Sequence, residues 1–265
     1  RVSIDGFPPD GSAPFVSFSE KTAEAVYGFV SRMAERLEVP VLGLSHLPKG
    51  RGLIVGNHAF GWDVVVPMAT IWAKTGRRVW ALGEHLWWRV PYVRKLVAEL
   101  GTVDGTPENV DALLARDELV LVMPGGLREA VKPRELRYRL LWGERYGFVE
   151  AAIRNEAPVV PLASVGADEW FDFVGNATAR GERWLRGTGI PLPVPARGLP
   201  IPRIVPWRFV LGEPVLPRYA PGAASDRAAL RSLRREVEGA LSELIDGELC
   251  RRQGIDLGKR AIPRM

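Results

Sequence analysis

Apolar side chains first recur at Ala23, Val26, Phe29, Val30 and Met33. That spacing follows the 3.6-residue turn and predicts a helix over 18–38, with Ser19 as its cap. The pattern then changes. GLIVG at 52–56 is a short continuous apolar run and reads as a buried strand. Further runs of this kind are RRVWALG (77–83), LVLVM (119–123), APVVPLASV (157–165) and WRFVLGEPV (207–215). Helical spacing returns between them, over 63–74, 107–118 and 142–155. The second of these opens with Pro107, which suits a first helical turn. A long charged helix is expected over 223–252, with a stripe of Leu230, Leu233, Val237, Leu241 and Leu244.

Strands and helices alternate, and several strands are apolar on both faces. The pattern predicts an α/β fold, a mostly parallel central sheet flanked by helices. No repeat or linker divides the chain, so one domain over 1–265 is expected. Residues 1–16, rich in Pro and Gly, read as an extended arm. The Pro-rich stretch 185–206 reads as a surface insertion.

Composition narrows the chemistry. Cys250 is the one cysteine, so no internal disulfide forms and a Cys-based zinc site is excluded. No metal ligand set is expected elsewhere. The net charge is +5, which suits an anionic membrane surface or nucleic acid. No nucleic-acid motif accompanies the charge, and basic residues are dispersed among acidic ones, so no nucleic-acid partner is expected. No apolar run reaches 18 residues, so no transmembrane helix is expected, and no signal peptide either. Arg1 rather than Met opens the chain, and the expectation is that natural residues precede it.

In sheets of this kind ligands gather beyond the carboxyl ends of the strands. VGNHAFGWDVVV (55–66) places His58 just past one such end and Asp63 in the first turn of the next helix. A neutral imidazole is a general base, and a carboxylate on its other nitrogen fixes the tautomer. The same spacing also fits a histidine bonded at a strand end and an aspartate capping a helix. A second strand end carries VMPGGLREA (122–130). Gly125 and Gly126 let backbone N–H groups approach a ligand, as an oxyanion hole or as an ordinary tight turn. No G-x4-G-K-[ST] loop is present, and no G-x-G-x-x-G follows a strand.

These blocks together resemble the glycerolipid acyltransferases, the lysophosphatidate acyltransferase-like superfamily. GNHAFGWD resembles its H-x4-D block. VMPGGLREA resembles the F-P-G-G-x-R-E-A third block of the diacylglycerol and phytyl-ester branch. ELGTVDGTPENVDALL (99–114) and APVVPLASVGADE (157–169) resemble the intervening and last blocks, in order, from about residue 40 to 217. The resemblance implies an O-acyltransferase with His58 as base and Asp63 as its orienting partner. It implies acyl-CoA or acyl carrier protein as acyl donor, no further cofactor, and a hydroxyl acceptor. Substrate-binding roles follow for Gly125, Gly126, Arg128, Glu129, Gly101 and Thr102.

Departures from the family pattern direct the choice of acceptor. Residues 101–109 read GTVDGTPEN, with Asp104 and no arginine where the phosphate-acceptor branch carries one. A neutral acceptor is therefore expected, such as diacylglycerol or a long-chain alcohol. A lysophospholipid or glycolipid acyltransferase, or a non-catalytic lipid-binding protein of the same fold, are the alternatives. Glu129 is expected to bond an acceptor hydroxyl or to pair with Arg128. EHLWWRVPYVRKL (84–96) mixes Trp87, Trp88 and Tyr92 with basic residues, as an interfacial segment does. The expected setting is cytoplasmic, peripheral on the inner face of the membrane. His46 and His85 are expected to be structural.

Overall fold

Leu53, Ile54 and Val55 are shut off from solvent at the centre of a sheet, as their continuous apolar run requires. The protein is represented by a computed structural model that describes residues 18–59, 62–83, 93–170 and 205–255. The arm expected over 1–16, residues 84–92 with His85, Trp87, Trp88 and Tyr92, and all but the last two residues of the 185–206 insertion lie outside the described residues.

Among the described residues seven strands form one sheet: β1 Val41–Leu42, β2 Gly52–Gly56, β3 Val79–Gly83, β4 Thr102–Asp104, β5 Leu119–Val122, β6 Val159–Val165 and β7 Arg208–Leu211. Their order is β1-β7-β6-β2-β5-β3-β4, and every pair is parallel except β6 with β7. The helices are α1 Glu20–Arg36, α2 Trp62–Thr75, α3 Val93–Glu99, α4 Pro107–Leu114, α5 Gly126–Ala130, α6 Gly147–Arg154 and α7 Arg227–Arg252.

Alternate residues of each strand face opposite sides. Leu53 and Val55 of β2, Val120 of β5 and Trp80 of β3 pack towards α4, α6 and α7. Ile54, Leu119, Leu121, Val79 and Ala81 pack towards α1 and α2. Helices on both faces therefore explain why the strands are apolar throughout, and the expected α/β architecture is the one observed.

Several boundaries differ for local reasons. Ser19 does cap α1, accepting the Thr22 N–H at 3.3 Å. The helix expected from 142 starts only at Gly147, because Gly143 turns through a φ of +55°. Trp142 instead buries its ring edge-on against Phe148, with 5.2 Å between centroids. The helix expected from 223 starts at Arg227, where Asp226 accepts the Ala228 N–H at 2.8 Å. β7 ends at Leu211, ahead of Gly212 and Pro214, and Val215 keeps one antiparallel bridge to Val159.

Because Trp142 is 1% exposed, Trp142→Ala is expected to lower the unfolding free energy by about 3–5 kcal/mol. Leu216→Ala, at a 58% exposed site, is expected to change it by less than about 0.5 kcal/mol. Urea unfolding followed by circular dichroism measures both.

Candidate active site

β2 is central in the sheet, and its carboxyl end delivers residues 57–59 to one edge. Asn57 extends the strand pairing through its side chain. Its Nδ2 donates to the Ser164 carbonyl at 2.9 Å, and its Oδ1 accepts the Ser164 N–H at 2.8 Å. His58 follows. Its Nδ1 lies 2.8 Å from Asp63 Oδ2, which also accepts the Ala59 N–H at 2.6 Å. A carboxylate only accepts, so Nδ1 carries the proton and Nε2 keeps its lone pair. The Asp63 side chain is fully buried, whereas the His58 side chain is 17% exposed.

The third block closes the site from the neighbouring strand end, since β2 pairs with β5. Glu129 is fully buried. Its Oε1 accepts the His58 N–H at 2.7 Å, and its Oε2 accepts the Leu141 N–H at 2.7 Å. Lys132, 5% exposed, donates to the His58 carbonyl at 2.7 Å, to the Glu129 carbonyl at 3.2 Å and to Asp168 Oδ1 at 2.8 Å. Asp168 Oδ2 accepts the Tyr138 N–H at 2.7 Å. Tyr138 holds a φ of +62°, an uncommon conformation for a bulky residue. Its hydroxyl bonds to Glu169, which Arg252 of α7 grips through two nitrogens. Residues 132–141 are thus pinned across the third block at both ends and in the middle.

These charges set the protonation of His58. Burial pulls its pKa down most strongly and Lys132 adds to that, but the charge and hydrogen bond of Asp63 together with the charge of Glu129 lift it further. The net position is above the ordinary histidine value. Burial raises Glu129, opposed by Lys132 and by the two N–H groups that its carboxylate accepts. Burial likewise raises Asp168, opposed by Lys132.

Glu129 does not pair with Arg128; its carboxylate accepts the backbone N–H groups of His58 and Leu141. Arg128 lies on the exposed side of α5. The Gly126 N–H bonds to the Met123 carbonyl at 2.9 Å, so it is not free for an oxyanion. Gly126 has a φ of +53°, which favours glycine, whereas the φ of −66° at Gly125 suits any residue. Gly101 and Thr102 are not brought to His58. Gly101, at a φ of +82°, launches β4, which lies three strands from β2, a distance of about 14 Å. His46 bridges the Leu211 carbonyl (2.9 Å) and Glu213 (3.1 Å), a structural role.

Asn57, Lys132 and Asp168 were not singled out from the sequence. A signal existed: a lysine beside buried Ala130 and Val131, and an aspartate right after the apolar β6. A cavity of about 470 Å³ lies elsewhere, lined by Ser31, Ala34, Val39, Leu44 and Thr70 near the far end of α2. Among the described residues no group of three His, Cys, Asp or Glu side chains is placed to hold a metal ion.

A family model described as Acyltransferase matches residues 38–165, which include His58, Asp63 and the third block. A chicken protein (Gallus gallus) named "DGAT1/2-independent enzyme synthesizing storage lipids" is 30% identical over 199 residues, 72% of this chain and 57% of its own length. Its mouse namesake (Mus musculus) is 28% identical over 208 residues, 78% of this chain and 59% of its own length. The crystal structure of the 1-acyl-sn-glycerophosphate (LPA) acyltransferase PlsC from Thermotoga maritima superposes with a TM-score of 0.55 at 17% identity. That match covers 92% of this chain and 84% of the other, and it shows a shared fold. Residues 38–165 are an acyltransferase-family region, and the chain is similar in sequence and fold to these lipid-synthesising proteins. It spans about three fifths of the length of these two storage-lipid relatives. In this acyltransferase-family chain, the H-x4-D block is the pair described above at 2.8 Å.

The raised His58 pKa has a consequence for stability. A group raised on folding contributes fully below its unfolded value, about 6.5, and the contribution is lost as pH rises through the folded value. The unfolding free energy of the natural chain relative to His58→Gln is therefore expected to be larger at pH 6 than at pH 9. Urea titrations of both proteins at the two pH values measure it.

Proposed function

We propose that the protein moves a fatty acyl group from a thioester, acyl-CoA or acyl carrier protein, to a hydroxyl of a neutral lipid such as diacylglycerol or a long-chain alcohol. The observation that carries this reading is the His58–Asp63 pair, a partly exposed imidazole held by a fully buried carboxylate. Nε2 of His58 takes the hydroxyl proton as the acceptor oxygen attacks the thioester carbonyl. The carbon becomes tetrahedral, and the carbonyl oxygen takes up the negative charge. That charge returns, the C–S bond breaks, and the thiolate takes the proton back from the imidazolium as thiol. Asp63 and Glu129 favour the imidazolium while it exists. No covalent enzyme intermediate and no metal are required.

Two features support a neutral acceptor. Residues 101–109 contain no arginine. Asp104 ends β4 at the carboxyl edge of the sheet, so a carboxylate stands in the block where the phosphate-acceptor branch carries a cation. The relatives named for storage-lipid synthesis point the same way. A lysophospholipid or glycolipid acceptor is the second reading, favoured by Arg128 on the exposed side of α5. A long acyl chain leaves water at about 0.8 kcal/mol per buried CH₂, so the enzyme works at a membrane surface. Trp62 is 48% exposed at the start of α2, next to Asp63, and suits such contact. Among the described residues no helix is long and apolar enough to cross a membrane. The proposed setting is the cytoplasmic membrane face.

Free-thiol release from palmitoyl-CoA, measured with diacylglycerol, fatty alcohol, lysophosphatidate and glycolipid in turn, tests the proposal. His58→Ala is expected to abolish turnover with little change in thermal midpoint. Turnover at the natural rate would remove His58 as base, and tenfold better use of lysophosphatidate would overturn the neutral acceptor. The base works when neutral, so kcat/KM is expected to rise with pH through a midpoint above the ordinary histidine value of about 6.5. In Asp63→Asn, the residual activity is expected to show that midpoint at lower pH.

A further inference from the structure

We infer that Glu129 and Lys132 are positioning residues that grip the His58 peptide from both sides and so set where its imidazole stands. The inference rests on the reading of His58 as the general base. The N–H of His58 donates to Glu129 at 2.7 Å, and the carbonyl of the same residue accepts from Lys132 at 2.7 Å. Both grips come from one turn of chain more than 70 positions away in sequence. Hydrogen bonds to charged groups contribute more than neutral ones. The three donors of the Lys132 ammonium are matched by the His58 carbonyl, the Glu129 carbonyl and Asp168, so none remains for a substrate. Glu129 is fully buried and touches none either. Both residues act through His58.

The grip also accounts for Gly125. Its backbone conformation suits any residue, yet a Cβ there would lie 2.0 Å from Glu129 Oε2 and 2.4 Å from Glu129 Cβ. A side chain at 125 and the Glu129 carboxylate exclude one another. In the P-G-G block of this chain residue 129 supplies the carboxylate beside His58, and glycine at 125 leaves room for it.

Among the described residues, the charged groups facing His58 are Asp63 of α2, Glu129 of α5 and Lys132 after it, with Asp168 behind Lys132. Glu129 raises the affinity of the ring for its proton and Lys132 lowers it. Removing one or the other moves the titration of His58 in opposite directions, which a merely structural role would not do.

The experiment is NMR titration of ¹³C-labelled histidine in the ligand-free protein, alongside thiol release from palmitoyl-CoA. The chain has three histidines, so His46→Gln and His58→Gln assign the signal. Glu129→Gln keeps the shape of the side chain. Lys132→Met is combined with Asp168→Asn, so that no buried charge is left unpaired. Glu129→Gln is expected to lower the His58 midpoint, and the Lys132/Asp168 pair of changes to raise it. Each is expected to lower kcat/KM by about 100-fold, the scale of a 1 Å misplacement. Gly125→Ala is expected to cost as much in the natural chain and nothing further in a Glu129→Ala background. Midpoints that stay put or move the same way, or a Gly125→Ala loss that multiplies with Glu129→Ala, would overturn the inference. The NMR shifts stand apart from turnover, so loss of the base reading through an active His58→Gln would be seen separately.

Discussion

Asp63 has no exposure to water and sits in the first turn of α2. A carboxylate taken out of water costs several kcal/mol unless partners replace the lost hydration. Here two donors replace it on one oxygen, the Ala59 N–H and His58 Nδ1. Both come from the same short segment, so the carboxylate folds that segment over itself. The proton stays on Nδ1, and the lone pair of Nε2 is left for chemistry. Burial disfavours the protonated ring, but the Asp63 carboxylate with Glu129 behind it favours that state, which is the one that exists while an acyl group moves.

The rest of the architecture holds that contact still. β2 is covered on both faces and flanked by strands on both sides, so its carboxyl end moves with the core. Asn57 continues the pairing one residue past the strand, onto Ser164 of β6. The residues after β5 reach across to the next peptide. Three successive positions, 57 to 59, are thereby tied to three different elements. The strap over 132–141 is fixed in turn by Asp168 and Glu169 after β6, and by Arg252 at the end of α7. A long C-terminal helix thus reaches the supports of the site.

The strong elements could be read from the chain because burial on both faces leaves a continuous apolar run. β2, β5 and β6 announce themselves this way, and Ser19 announces the start of α1. β1 and β4, at two and three residues, are too short to carry any period. The late start of α6 turns on Gly143, whose left-handed backbone no periodicity reports. The pairing of His58 with Asp63 is local, five positions apart, so spacing was enough to raise it. Glu129 is different. It lay inside a quoted block, but its partner is a backbone N–H 71 positions earlier, and a backbone group leaves no mark in a sequence. Gly125 and Gly126 look alike in one dimension. In three, one gives room to a carboxylate and the other bends the chain.

A base is useful only if it presents the right nitrogen, and the whole account depends on which nitrogen of His58 bears the proton. ¹⁵N NMR of the histidine rings, taken above the pH at which His58 loses its charge, reads this directly. The structure predicts a single neutral tautomer for residue 58, protonated on Nδ1, which Asp63→Asn makes less dominant. A ring protonated on Nε2, or one averaging freely between the two forms in the natural chain, would contradict the account.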